Sequence, residues 1–208
     1  MTDVLPRTPE GIARAVDLLR TGAVVAFPTD TVYGVGVDGA RPDRLPALFE
    51  LKRRPLDRRI PMLVTGLDQA TNAGWEADER AKALAARFWP GALTIVLPWG
   101  SELPPDPAAG ESQAFRAPDH GDAQALIAAA GPIFATSANI SDQPDTLGAD
   151  EVLIAFATDQ DGLAAVVDGG PVPGGVASTV IDLTVTPARV LREGPITLAQ
   201  LADVVELA

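Results

Sequence analysis

Cysteine is absent from all 208 residues, which excludes disulfides, thiolate metal sites and a cysteine nucleophile together. Histidine occurs once, as His120 in the run Ala117-Pro118-Asp119-His120-Gly121, and no G-x-S-x-G elbow accompanies it. A Ser–His–Asp hydrolase is therefore not indicated, and a lone loop histidine reads as a turn or surface residue. Aromatic side chains are few: six Phe, three Trp and one Tyr, a thin supply for a base-stacking platform. Basic residues are outnumbered 16 to 28, for a net charge of −12, so most of the surface repels a phosphate backbone. Long hydrophobic runs are lacking too, since Pro28, Asp30, Asp38 and Pro132 interrupt them far short of a bilayer span. Met1 to Glu10 shows no basic segment followed by an apolar one, so no signal peptide is expected. These absences together predict a soluble, cytoplasmic protein with no membrane partner and weak or no direct nucleic-acid binding.

What remains is a chain able to bury roughly 70% of its unfolded surface without staples. Thr8 and Pro9 open a helix carrying Ile12, Val16 and Leu19 on one face as far as Gly22. Ala23 to Phe27 reads as a short buried strand, and Pro42 to Lys52 as a helix that Pro55 prevents from continuing. Further strands are expected at 60–64, 93–97, 114–116, 133–136, 164–167 and 179–183. Helices are expected at 76–89, 123–130 and near 149–157, with a last one from Leu198 capped by Thr197. The proline-rich passage from Pro98 to Ser112 is read as a surface loop. Short apolar strands alternating with helices indicate an α/β fold, a single domain over residues 1–208 with a largely buried mixed sheet.

Some motifs tempt and fail. Gly34, Gly36 and Gly39 have the spacing of a dinucleotide fingerprint, but they follow the loop PTDTVY, and Pro42 delays the next helix. Neither Lys52 nor Lys82 follows a glycine as a P-loop requires. A dedicated metal cage lacks ligands, although Mg²⁺ held mainly by substrate phosphates fits. Two features survive. Arg41 to Arg59 holds seven basic residues against three acidic ones, a local field suited to a compact anion such as a triphosphate. The plainer reading of that stretch is a solvated helix end. Polar residues also gather at strand ends: Thr29, Asp30, Thr31 and Tyr33; Thr136, Ser137 and Asn139; Ser178 and Thr179; and Arg192. Each alone reads as a cap or turn. Together, with Lys52 and Arg54, they make a phosphate cradle at the carboxyl ends of the strands.

At these residues the chain resembles the YrdC (TsaC-type) threonylcarbamoyl-AMP synthase family, in its short form. The resemblance runs from about Gly22 to Gly194 through GAVVAFPTDTVYGVG, Lys52-Arg53-Arg54-Pro55, FWPGALTIVL, FRAPDH, ATSANIS, DGG…STVIDLT and VLREG. It implies a single-domain twisted open mixed sheet with flanking helices and a concave ligand-binding face. It implies synthesis of threonylcarbamoyl-adenylate and pyrophosphate from L-threonine, bicarbonate and ATP, with tRNA-threonylcarbamoyl transferase proteins as partners. Lys52 and Arg54 match the family's K-x-R pair, implied to grip the triphosphate. Ser137 and Asn139 match its S-x-N pair at the reaction centre, and Arg192 a late ATP-contacting arginine. Thr31, Arg116 and Ser178 match positions on the threonine side with Tyr33 nearby, and Ser137 borders that side as well. Where some members carry a threonine-contacting histidine, this chain has Ile60, Pro61 and Met62.

The chemistry of such a reaction needs no covalent enzyme intermediate, so positioning and charge stabilisation carry the rate. Arg116 is the natural fork for a substrate carboxylate. The resemblance leaves two other readings open: a carbamoyltransferase using carbamoyl phosphate on the same scaffold, and an RNA-binding module. Lys52 and Arg54 are expected at an exposed helix end, so that replacing either leaves the fold intact.

Overall fold

A computed structural model describes residues 2–55, 58–100, 111–158 and 162–208. The chain opens with β1 (Asp3–Pro6), α1 (Pro9–Arg20), β2 (Val25–Phe27), β3 (Gly34–Asp38), a 3₁₀ turn at Pro42–Arg44 and α2 (Leu45–Leu51). Next come β4 (Met62–Leu63), α3 (Leu67–Asn72), α4 (Glu79–Phe88), β5 (Leu93–Pro98), β6 (Ser112–Arg116) and α5 (Gly121–Ala130). It closes with β7 (Ile133–Ser137), α6 (Ala149–Ala155), β8 (Ala165–Asp168), β9 (Thr179–Asp182), β10 (Arg189–Arg192) and α7 (Leu198–Ala202). Most of the expected proline-rich loop, residues 101–110, lies outside the described residues. Two compact units result, one from Met1–Ile60 with His120–Gly175, the other from Pro61–Asp119 with Val176–Ala208.

In the first unit the strands run β1-β8-β2-β3-β7. β8 lies parallel to β1 and β2, while β3 is antiparallel to β2 and β7. Val35 and Val37 of β3 are buried with Ala26, Tyr33, Leu48, Val152, Phe156 and Val166 in one core. β3 was not anticipated, because Gly34 and Gly36 weaken its strand signal. Gly36 is required by packing, since a Cβ there would stand 2.5 Å from the Phe134 carbonyl oxygen and 2.8 Å from Ile133 Cγ2. Thr8 caps α1 by accepting from the Gly11 N–H at 3.3 Å, as its sequence position suggests. The continuous helix expected over 42–52 is instead a 3₁₀ turn followed by α2. Pro46 has no N–H to give to Pro42, and proline is tolerated only in a helix's first turn, so the α-helix starts afresh at Leu45.

The strands of the second unit run β4-β6-β5-β9-β10. β4/β6 and β5/β9 are parallel, and β6/β5 and β9/β10 antiparallel. Leu93, Ile95 and Leu97 of β5 are buried with Phe115 and Ile181. Trp75 packs edge-on against Trp99 at 4.4 Å and against Phe115 at 5.6 Å between ring centroids. α4 begins at Glu79 rather than Glu76, because the Asp78 carboxylate accepts from the Ala81 N–H at 2.9 Å and caps it there. α7 carries a full capping box between Thr197 and Gln200. Each unit is thus a mixed sheet with flanking helices, the α/β class read from the sequence. Among the described residues no helix is long and apolar enough to cross a membrane.

Candidate active-site residues

Six of the nine candidate residues lie in the first unit, on three loops tied to one another. The loop after β2 folds on its own hydroxyls: Thr29 Oγ1 donates to the Val32 carbonyl at 2.7 Å and lies 3.2 Å from Thr31 Oγ1. Since the Thr29 proton is committed to Val32, Thr31 is the donor in the pair. Both threonines are buried. Tyr33 ends this loop fully buried, its phenol donating to the Gly170 carbonyl at 2.8 Å and accepting from the Gly169 N–H at 3.2 Å. Desolvation by that burial raises the phenol above its ordinary value. The Tyr33 hydroxyl is therefore engaged with the turn after β8, and the residue acts by holding that turn.

The second loop leaves the end of α2. Lys52 is the residue that ends the helix, and Arg53 takes φ 51° to turn the chain away. Contrary to the expected exposed helix end, Lys52 is only 1% exposed. Its ammonium donates to the Ser137 carbonyl, to the Asn139 carbonyl at 2.6 Å and to Asn139 Oδ1 at 3.2 Å. Removing it would strand buried acceptors, so an intact fold in a Lys52→Ala variant is no longer expected. Desolvation, with repulsion from Arg54 and an opposing pull from Asp145, holds the Lys52 amine down at about 7. The Arg54 guanidinium donates to the Arg58 and Arg59 carbonyls, each at 3.1 Å.

The third loop follows β7. Ser137 Oγ donates to Asn139 Oδ1 at 2.6 Å, and the Asn139 amide donates in turn to the Gln143 carbonyl. With its proton given to Asn139, the Ser137 hydroxyl keeps lone pairs with which it can accept hydrogen bonds. Among the described residues no imidazole or carboxylate is bonded to it in a way that would activate a nucleophile. The Ala138 N–H donates to the Tyr33 carbonyl at 2.7 Å and the Tyr33 N–H to the Thr146 carbonyl at 2.9 Å, joining this loop to the first.

Three further candidates belong to the second unit. Arg116 ends β6, is buried, and donates through Nε to the Gly91 carbonyl at 3.0 Å. Ser178 precedes β9 and is buried, and Arg192 at the end of β10 donates to its carbonyl at 3.0 Å and to its Oγ at 3.2 Å. Gly194 permits this approach, since a Cβ there would meet the Ala177 carbonyl oxygen at 2.4 Å and the Thr179 nitrogen at 2.5 Å. Sequence reasoning missed Thr94, whose buried Oγ1 lies 2.8 Å from Ser178 Oγ. Its signal was available: one hydroxyl inside the apolar strand Leu93-Thr94-Ile95-Val96-Leu97, where a buried polar group needs a partner. His120 precedes α5 without a side-chain capping bond, and its buried Nδ1 has no hydrogen-bond partner among the described residues.

The Sua5/YciO/YrdC family model, described as "Telomere recombination", matches residues 17–194. The chain belongs to this family. Curated family relatives include a threonylcarbamoyl-AMP synthase of Bacillus subtilis, 43% identical over 99% of this chain and 59% of the relative. A second, from Pyrococcus abyssi, is 39% identical over 92% of this chain and 56% of the relative. The chain thus spans somewhat under two thirds of the length of these two. A solved structure of P. abyssi Sua5 complexed with L-threonine superposes with a TM-score of 0.88 at 34% identity, covering 100% of this chain and 62% of that one. E. coli YciO, 24% identical, shares the fold with a TM-score of 0.81 over 94% of this chain and 97% of its own.

Proposed function

We propose that the protein, acting as one YrdC-like domain, synthesises threonylcarbamoyl-AMP and pyrophosphate from L-threonine, bicarbonate and ATP. The observation that carries the reading is the Lys52–Ser137–Asn139 network, built on the K-x-R and S-x-N residues of a chain whose relatives bear that name. Threonine's amine adds to bicarbonate with loss of water to give a carbamate. A carbamate oxygen attacks the α-phosphorus, the bond to the bridging α–β oxygen breaks, and pyrophosphate leaves with the electron pair. The chain's part is to orient the reactants and to offset the charge that grows on the leaving group.

Arg54 and Arg192 take the nucleotide's phosphates, and Lys52 adds its positive charge next to Ser137 and Asn139. Arg116 pairs with the threonine carboxylate, which its planar fork matches. Thr31, Ser137 and Ser178 supply hydroxyls to the threonine side, and Tyr33 keeps the turn after β8 in place. Among the described residues no three acidic or histidine side chains gather to hold a metal ion. Mg²⁺ accompanying the nucleotide would be held mainly by the phosphate oxygens and would supply further charge compensation there. The product goes to tRNA-threonylcarbamoyl transferase proteins in the cytoplasm, with little direct hold on tRNA by this chain.

The test is pyrophosphate release from ATP by purified protein with Mg²⁺, with threonine and bicarbonate added or withheld. Release that needs both substrates supports the reading. Release driven by carbamoyl phosphate instead, or release indifferent to the amino acid, overturns it.

A further inference from the structure

The ammonium of Lys52 has three N–H donors and the structure gives it three acceptors: the carbonyls of Ser137 and Asn139 and Asn139 Oδ1. No donor is left over for a phosphate oxygen. The backbone makes the same junction, because the Ser141 N–H donates to the Lys52 carbonyl at 3.0 Å. Beside it, Arg58 pairs with Asp142 at 3.0 Å, although that pair is exposed and adds little. Side chain and main chain at the end of α2 are thus both fastened to the loop after β7. Asn139 Oδ1 stands at the centre, accepting from Lys52 on one side and from Ser137 Oγ at 2.6 Å on the other.

From this geometry we infer that Lys52 is a positioning residue: its ammonium clamps the Ser137–Asn139 turn and fixes which atoms Ser137 and Asn139 present to substrate, and it does not itself bond the triphosphate. The inference rests on the function proposed above and changes one role within it. With Oδ1 held by two donors, the Asn139 amide is oriented with Nδ2 toward the Gln143 carbonyl. The Ser137 proton is likewise directed inward, so its lone pairs face a ligand. Loss of the ammonium frees the Asn139 amide to rotate and Ser137 Oγ to redirect its proton. The damage to turnover then passes through Ser137 and Asn139. A buried, fully bonded ammonium also exchanges its protons slowly, unlike an exposed one. The clamp differs from a phosphate grip in what ATP does to those protons: a clamp keeps its partners when ATP binds, and a grip trades them.

The chain has only two lysines, Lys52 and Lys82, and Lys82 is an exposed residue paired with Glu79 at 2.7 Å. Protein labelled with ¹⁵N at lysine Nζ therefore gives a two-resonance problem, assigned by Lys82→Arg. The expected result is a protected ammonium proton correlation from Lys52 in the wild-type protein below pH 7, persisting when saturating ATP is added. Absence of that correlation, or its replacement by a new one on ATP binding, overturns the inference. This measurement needs no site variant and stands even if the protein makes no threonylcarbamoyl-AMP. Where wild-type turnover is present below pH 7, the range in which the ammonium keeps its proton, a double-mutant cycle of Lys52→Met with Asn139→Ala follows there, each variant first checked for a cooperative melt. A clamp acting through Asn139 predicts that the double variant falls within about threefold of the weaker single one, as for residues that act as a unit. Fold losses that multiply show an independent phosphate contact and sink the clamp.

Discussion

Thr94 and Ser178 share a buried hydroxyl pair at 2.8 Å, and Ser178 Oγ also accepts from Arg192. Thr94→Val keeps the shape and removes one partner, leaving Ser178 with the guanidinium alone. The expected loss is about 1 kcal/mol of stability, read as a lowered denaturant midpoint, with a larger relative rise in the KM for threonine than fall in kcat. An unchanged KM would take Ser178 off the threonine side. Lys52 gives a second residue-scale prediction, with a definite sign. Its folded pKa of about 7 lies below the ordinary 10.5, so between those values the unfolded chain holds a proton that the folded chain has released. Stability contributed by this group therefore rises with pH through that window and is flat below it. Arg54 pushes the value down together with burial, and Asp145 opposes them. Urea midpoints of the wild type and Lys52→Met at pH 6.5 and pH 9 should diverge in favour of the wild type at the higher pH. Parallel curves would mean that the amine stays protonated throughout, with its three acceptors outweighing its burial.

β3 shows most clearly how packing decides what local pattern leaves open. Gly34 and Gly36 argue against a strand by propensity, yet the segment pairs with both β2 and β7, and Gly36 lies against the Phe134 carbonyl. Gly36→Ala forces a methyl to 2.5 Å from that oxygen, and overpacking of this kind costs about 1–3 kcal/mol. A thermal melt of the variant checks it, and an unchanged midpoint would mean that β3 and β7 can move apart freely. The elements that were readable beforehand carry strong local signals: Thr8-Pro9 for α1, the apolar run Leu93 to Leu97 for β5, and Thr197 for α7. β1, with only Leu5 buried of its four residues, and the short α3 carry no such signal. Ser137 and Asn139 were legible as polar residues at a strand end and Lys52 as a cation at a helix end, and the three are found bonded together. The inward course of the Lys52 side chain was not legible. It depends on the turn at Arg53 and on carbonyls 85 and 87 residues away in the chain, which no local pattern encodes. Thr94 is a different case: its lone hydroxyl in an apolar strand was readable, but the partner that satisfies it, Ser178, lies 84 residues away and was not.

For the molecule as a whole, the question is what a net charge of −12 leaves available to a polyanion. The one basic stretch, Arg41 to Arg59, looks on paper like a track for phosphates, but its cations have internal employment. Arg41 pairs with Asp43 at 2.9 Å, Arg44 donates to the Gly22 carbonyl at 2.8 Å, and Lys52 faces inward. Arg54 is bonded to two carbonyls of its own loop, and Arg58 pairs with Asp142. A triphosphate is compact and can be met by one or two guanidiniums. A tRNA backbone needs many cations in a row, and the gain per phosphate comes from counterions released along that row. The protein should therefore bind ATP yet fail to retain tRNA in a filter assay at roughly 150 mM salt, where surface attraction reaches only about 8 Å. Retention at that salt, with affinity falling steeply as salt is raised, would reveal a continuous basic path and restore the nucleic-acid reading. Retention that ignores salt would instead point to base contacts, for which six Phe, three Trp and one Tyr give little material, with Tyr33, Phe27, Phe115 and Phe156 already buried.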